Sequence, residues 1–112
     1  MERLEIKVVS DGPDRHVVAL RGELDLAAAD RAWTELEPLI TAGSLIVLDG
    51  TELEFLDSSG LRVLALAAHR ARDARAGLRL IAPQHAVRRA LALAGAERLI
   101  DTRASLEEAL AG

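Results

Sequence analysis

The sequence predicts an α/β domain: an open mixed β-sheet of four to five strands, about four helices packed against it, and an N-terminal β-hairpin. Three observations predict it. The chain opens on two extended apolar patterns separated by turn residues. An uninterrupted apolar run, Leu45-Ile46-Val47-Leu48, then reads as a strand covered on both faces, as in a parallel sheet. Beyond it, helical and extended patterns alternate to the end, and parallel neighbours require such helical crossovers.

Leu4, Ile6 and Val8 alternate with Glu5, Lys7 and Val9, Ser10-Asp11-Gly12-Pro13-Asp14 supplies turn chemistry, and Val17-Val18-Ala19-Leu20 resumes the strand pattern. Gly22 is expected to break that strand. Asp25 then caps a first helix over residues 26–41, marked by Ala29, Ala32, Trp33, Leu36 and Leu39 or Ile40 at helical spacing, with Trp33 packing inward. Pro38 disturbs its last turn, because proline lacks the backbone donor and clashes with the preceding turn.

Leu45–Leu48 is expected to be central in the sheet, followed by a connector over Asp49–Asp57. A second helix runs from Ser58 to about Ala76, with Leu61, Leu64, Ala68 and Ala71 on one face and Gly77 as its stop. Arg70, Arg72 and Arg75 read as its solvated side. Leu78–Ile81 forms the next strand. Pro83 opens a helix with Val87, Leu91 and Ala94 inward, Gly95 ends it, and Leu99-Ile100 makes a short edge strand. Ser105 and Glu108 form a capping box for a last helix whose apolar face is Leu106, Ala109 and Leu110.

With 112 residues, half of them apolar, the chain fits one domain spanning 1–112. It has no cysteine, so disulfides and thiolate metal sites are excluded and the cytoplasm is the expected compartment. The charged residues near the N-terminus do not fit a signal peptide, and no apolar run reaches the roughly 20 residues of a membrane span. A formal charge of −4, one Trp, one Phe and no Tyr argue against direct nucleic-acid binding.

His16, His69 and His85 lack metal-ligand spacing and are expected on the surface. Phosphate-binding glycine loops and the Gly-x-Ser-x-Gly elbow are also missing, so the chain is not expected to be an enzyme and needs no cofactor or metal.

The segment richest in chemistry is Phe55-Leu56-Asp57-Ser58-Ser59-Gly60-Leu61, where the second helix begins. Serine caps free N–H groups there, and a helix N-terminus also favours a negative charge such as a phosphate. Asp57-Ser58-Ser59-Gly60-Leu61 after the Leu45–Leu48 run resembles the phosphorylation motif of the STAS-domain anti-sigma factor antagonists. Gly22-Glu23-Leu24-Asp25 resembles their second recurrent motif. The likeness extends through Ile81-Ala82-Pro83, Val87-Arg88-Arg89-Ala90-Leu91, Ala94-Gly95 and Leu99-Ile100.

That resemblance implies a STAS fold and a switch. The unphosphorylated form binds an anti-sigma factor that is also an ATP-dependent serine kinase, and so frees the sigma factor. Phosphorylation of the first Ser after the Asp ends the binding, and a metal-dependent serine phosphatase restores it. Carried onto this chain, the acceptor is Ser58. Asp57 and Ser59 flank it in the kinase interface, Gly60 allows close approach of the partner backbone, and Asp25 lies in a neighbouring contact.

Arg62 departs from the small residue that many members carry after Gly-Leu. It is expected to steer the partner or to neutralise phosphoserine in part. A second role that the resemblance implies is a cytoplasmic STAS subunit regulating a membrane transporter, such as a lipid-transport ABC complex.

Overall fold

A computed structural model describes residues 2–82 and 84–111. Five strands and four helices alternate along the chain: β1 Leu4–Ser10, β2 Arg15–Leu24, α1 Leu26–Leu36, β3 Leu45–Leu56, α2 Ser58–Ala74, β4 Gly77–Ile81, α3 His85–Leu93, β5 Asp101–Arg103 and α4 Leu106–Leu110. The sheet order is β1-β2-β3-β4-β5, with the β1–β2 pair antiparallel and the rest parallel. The predicted architecture, including the hairpin and the central place of Leu45–Leu48, is the one observed.

α1, α2 and α3 cover one face of the sheet. There Val18, Leu20, Leu24, Ile46, Leu48, Leu53 and Leu80 meet Ala28, Ala32 and Leu36 of α1, Val63, Leu64 and Ala67 of α2, and Val87 and Leu91 of α3. Burying a side chain of this size stabilises the fold by about 1.5–3 kcal/mol relative to leaving it in water. Among the described residues the other face carries α4 alone, whose fully buried Ala109 packs on Val47 and Ile81.

Three arginines clamp that short helix. Arg15 donates to the Leu110 carbonyl at 2.8 Å, Arg79 to Ala109 and Ala111 at 2.7 and 2.9 Å, and Arg103 to Glu108 at 3.2 Å. They satisfy carbonyls that a helix end leaves without intrahelical partners. Arg103 also hydrogen-bonds Asp101, and the guanidinium holds that carboxyl below the usual carboxylate range.

Several boundaries differ from expectation. Gly22 does not end β2; with φ +104° it sits in a register shift, and a Cβ there would lie 2.1 Å from the Arg3 carbonyl oxygen. The strand continues to Leu24. The first helix stops at Leu36 instead of residue 41, because Pro38 sits in a 3₁₀ turn, Glu37–Leu39. The Asp49–Asp57 connector is largely strand, since β3 runs on to Leu56. Residue 75, not Gly77, ends α2: Arg75 adopts the left-handed conformation (φ 60°) and Gly77 starts β4.

The last edge strand is Asp101–Arg103, while Leu99 closes a 3₁₀ turn and Ile100 is buried before it. Ala94 and Leu106 face solvent, and His16 is buried, its Nδ1 2.7 Å from the Ser10 hydroxyl. Half of the capping box forms as predicted, with Ser105 Oγ accepting from Glu108 N–H at 3.2 Å; Glu108 Oε2 instead accepts from Ala104 N–H at 3.1 Å. Pro83, expected to open α3, lies outside the described residues.

Candidate functional site

The parallel strands β2 and β3 end side by side, Leu24 against Leu56, and each turns into a helix through an aspartate. Asp25 and Asp57 both take extended backbone conformations, as N-caps do. Asp25 Oδ1 accepts from Ala27 and Ala28 N–H at 3.1 and 3.3 Å, within its own helix. Asp57 serves both helices: Oδ1 accepts from Gly60 N–H at 2.9 Å and Oδ2 from Leu26 N–H at 3.1 Å. One carboxylate thus ties the starts of α1 and α2 together.

Because Asp57 is the cap, Ser58 is the first residue of α2 and its side chain is not used for capping. Ser58 is exposed, and among the described residues its hydroxyl makes no hydrogen bond. Its backbone N–H and that of Ser59 are also without acceptors among the described residues, as the first donors of a helix are. An accessible hydroxyl therefore stands beside free donors at the positive end of a helix dipole, a setting that tolerates added negative charge.

Ser59 is half-buried. Gly60 was expected to admit a partner's backbone, but it is buried and its close approach is made inside the chain. A Cβ there would lie 2.2 Å from the Leu24 carbonyl oxygen and 2.6 Å from Leu56 Cδ1, so glycine lets α2 seat on the end of β2.

Arg62, one turn on from Ser58, is exposed and has no ion-pair partner among the described residues. With Ser59, Val63 and Leu66 it lines one wall of a groove whose other wall is Leu26, Ala29, Asp30 and Trp33 of α1.

Two apolar residues beside Ser58 escaped sequence reasoning. Leu26 is 76% exposed and Phe55 46% exposed, although both lie next to the caps. Leu26 opened a helix whose apolar face was read from Ala29 onward, and it was given no role. Phe55 opened the segment richest in chemistry but was given no role in it. The usable signal was their place in sequence: Leu26 follows one aspartate cap directly and Phe55 stands two residues before the other.

Among the described residues no helix is long and apolar enough to cross a membrane. The family model for the STAS domain matches residues 7–109. A crystal structure of an anti-sigma factor antagonist from Mycobacterium paratuberculosis superposes with a TM-score of 0.84 at 25% identity, covering 96% of this chain and 91% of that one. A glutamate-for-serine variant of RsbS from Moorella thermoacetica gives 0.78 at 27% identity, covering 94% and 91%. The Bacillus cell fate determinant SpoIIAA in its phosphorylated form shares the fold, with a TM-score of 0.72 at 22% identity over 95% and 96% of the two chains. No curated protein sequence matches significantly. A five-stranded sheet in this order, its two capped corners and a family match over nearly the whole length lead to one conclusion: the chain belongs to the STAS domain family.

Proposed function

We propose that this protein is an anti-sigma factor antagonist of the partner-switching kind. Unphosphorylated, it binds an anti-sigma factor that is an ATP-dependent serine kinase. Phosphorylation of Ser58 ends that binding, and a metal-dependent serine phosphatase restores it. The observation that carries the reading is the exposed Ser58 hydroxyl, left unbonded because Asp57 has taken the capping role. Likeness to the antagonist from Mycobacterium paratuberculosis supports the class of function.

The physical account is local. A phosphate brings about −1.5 to −2 charges at neutral pH to a surface that already holds Asp57 and Asp25. Across an interface it repels acidic partner groups and must itself be desolvated, and about 3–4 kcal/mol is enough for a hundredfold or greater loss of affinity. Free N–H groups of Ser58 and Ser59 offset the phosphate within the fold, so the domain need not rearrange. Asp57 acts chiefly as the clamp that fixes the corner, while Ser59 and Arg62 face the partner from the groove.

The test is incubation with candidate serine kinases of the anti-sigma type and ATP, with the phosphate located by fragmentation mass spectrometry. Phosphate is expected on wild type and Ser59→Ala but not on Ser58→Ala. Ser58→Glu is expected to bind the kinase about a hundredfold more weakly. Phosphate on Ser59, or full binding by Ser58→Glu, overturns the reading. Recovery from cells of an ABC-type membrane complex in place of a kinase would assign the surface to a transporter.

A further inference from the structure

We infer that β1 is a self-recognition edge through which two copies of this chain pair antiparallel, joining their sheets into one. Among the described residues β1 pairs with no strand but β2, so its other edge presents a row of backbone donors and acceptors that no strand covers. The hairpin fixes which residues form that row. Asp11 N–H donates to Arg15 and Glu23 N–H donates to Arg3, so odd-numbered residues of β1 face β2. Leu4, Ile6, Val8 and Ser10 consequently turn their N–H and C=O groups outward.

A two-fold antiparallel pairing must set these outward residues opposite one another, which leaves few registers. Centring on Glu5 puts Glu5 opposite its own copy and Lys7 opposite Arg3. Centring on Lys7 puts two lysines face to face. Centring on Ile6 places Glu5 of each copy opposite Lys7 of the other, twice by symmetry, in the closer, non-hydrogen-bonded kind of pair.

On the opposite face the same register sets Ile6 against Ile6 and Leu4 against Val8, which is 40% exposed in the single chain. Leu4-Glu5-Ile6-Lys7-Val8 is thus palindromic in polarity and self-complementary in charge. A register centred on Val8 sets Glu5 opposite Asp11 and Lys7 opposite Val9, so it pairs neither Glu5 nor Lys7 with an opposite charge.

Neither Glu5 nor Lys7 has an ion-pair partner among the described residues, so both are available across the edge. The Leu4 carbonyl already accepts from the Arg31 guanidinium, and its second lone pair is the one offered to the Val8 N–H of the second copy. Glu and Lys on an edge strand ordinarily prevent pairing; here their spacing makes them complementary under a two-fold axis.

The experiment is sedimentation equilibrium over a concentration series, on wild type and charge variants first shown by circular dichroism to be folded. Wild type is expected to self-associate to a dimer. Lys7→Glu and Glu5→Lys each convert both attractive pairs into repulsive ones and are expected to weaken dimerisation about tenfold or more. The double variant Glu5→Lys/Lys7→Glu restores it, and an equimolar mixture of the two single variants forms the heterodimer. Wild type that stays monomeric at its solubility limit, a dimer indifferent to the single variants, or failure of both the double variant and the mixture to recover association overturns the proposal. None of these outcomes depends on phosphorylation at Ser58.

Discussion

The two strand-to-helix corners, Leu24-Asp25-Leu26 and Leu56-Asp57-Ser58, are built alike and carry different loads. Each places a buried leucine at the strand end, an extended aspartate as the cap, and a small residue, Ala28 or Gly60, buried at the third helical position. They differ in the first helical residue, an exposed leucine at one corner and an exposed serine at the other. They differ also in the reach of the aspartate, since Asp25 satisfies only its own helix while Asp57 bonds to both. A fixed frame thus presents an exposed leucine and an exposed serine at the same sheet end, and the bridge at Asp57 ties their two helices together.

The comparison breaks most visibly at Gly60. Gly60→Ala drives a methyl group into the Leu24 carbonyl oxygen and Leu56 Cδ1. Overpacking of this kind costs about 1–3 kcal/mol, and contact with backbone belongs at the upper end. Alanine recovers up to about 1 kcal/mol of helix propensity, so a net loss of about 2 kcal/mol is expected in urea unfolding. The equivalent Ala28 already carries that methyl, fully buried, so a tolerated Gly60→Ala would mean that the corners are interchangeable.

The caps follow, with effects equal to that or smaller. Asp25→Ala removes acceptors for N–H groups of one helix and is expected to cost about 1 kcal/mol. Asp57→Ala also strands the Leu26 N–H, and about 2 kcal/mol is expected. Equal losses in parallel urea titrations would show that the bond across the corner carries no weight.

How much of this could be read from the chain depends on how local each signal is. The β1–β2 hairpin is legible because its alternation is intact and its turn residues are contiguous. β3 was cut short because two register shifts against β2 turn its period of two into a buried residue at every third position, Gly50, Leu53 and Leu56. β5 was displaced because Asp101-Thr102-Arg103 has no apolar residue, while Ile100 buries itself one step earlier.

At the site, both Asp57 and Ser58 are good capping residues, and sequence cannot decide between them. The decision rests on Asp57 reaching Leu26, a partner 31 positions away. Gly60 was assigned outward for a similar reason, since the carbonyl that requires it belongs to another strand. The Ser58 assignment itself came from a motif, and neither periodicity nor composition contains it.

The smallest effect on stability is expected where the corners differ most. Leu26 is 76% exposed, so Leu26→Ala should change the unfolding free energy by no more than about 0.5 kcal/mol. Its effect on binding should be larger. Leu26 lines the same groove as Trp33, Ser59 and Leu66, and under the proposed function the partner that covers Ser58 covers it too. Burying it recovers about 1–2 kcal/mol of transfer free energy, so kinase affinity should fall roughly tenfold. Leu93 of α3 offers the internal comparison, being 78% exposed but outside that groove. Titration calorimetry on the two alanine variants should show loss for Leu26→Ala and none for Leu93→Ala. Equal losses would mean that exposed leucines act non-specifically, and no loss from either would reduce the α1 corner to a scaffold for Ser58.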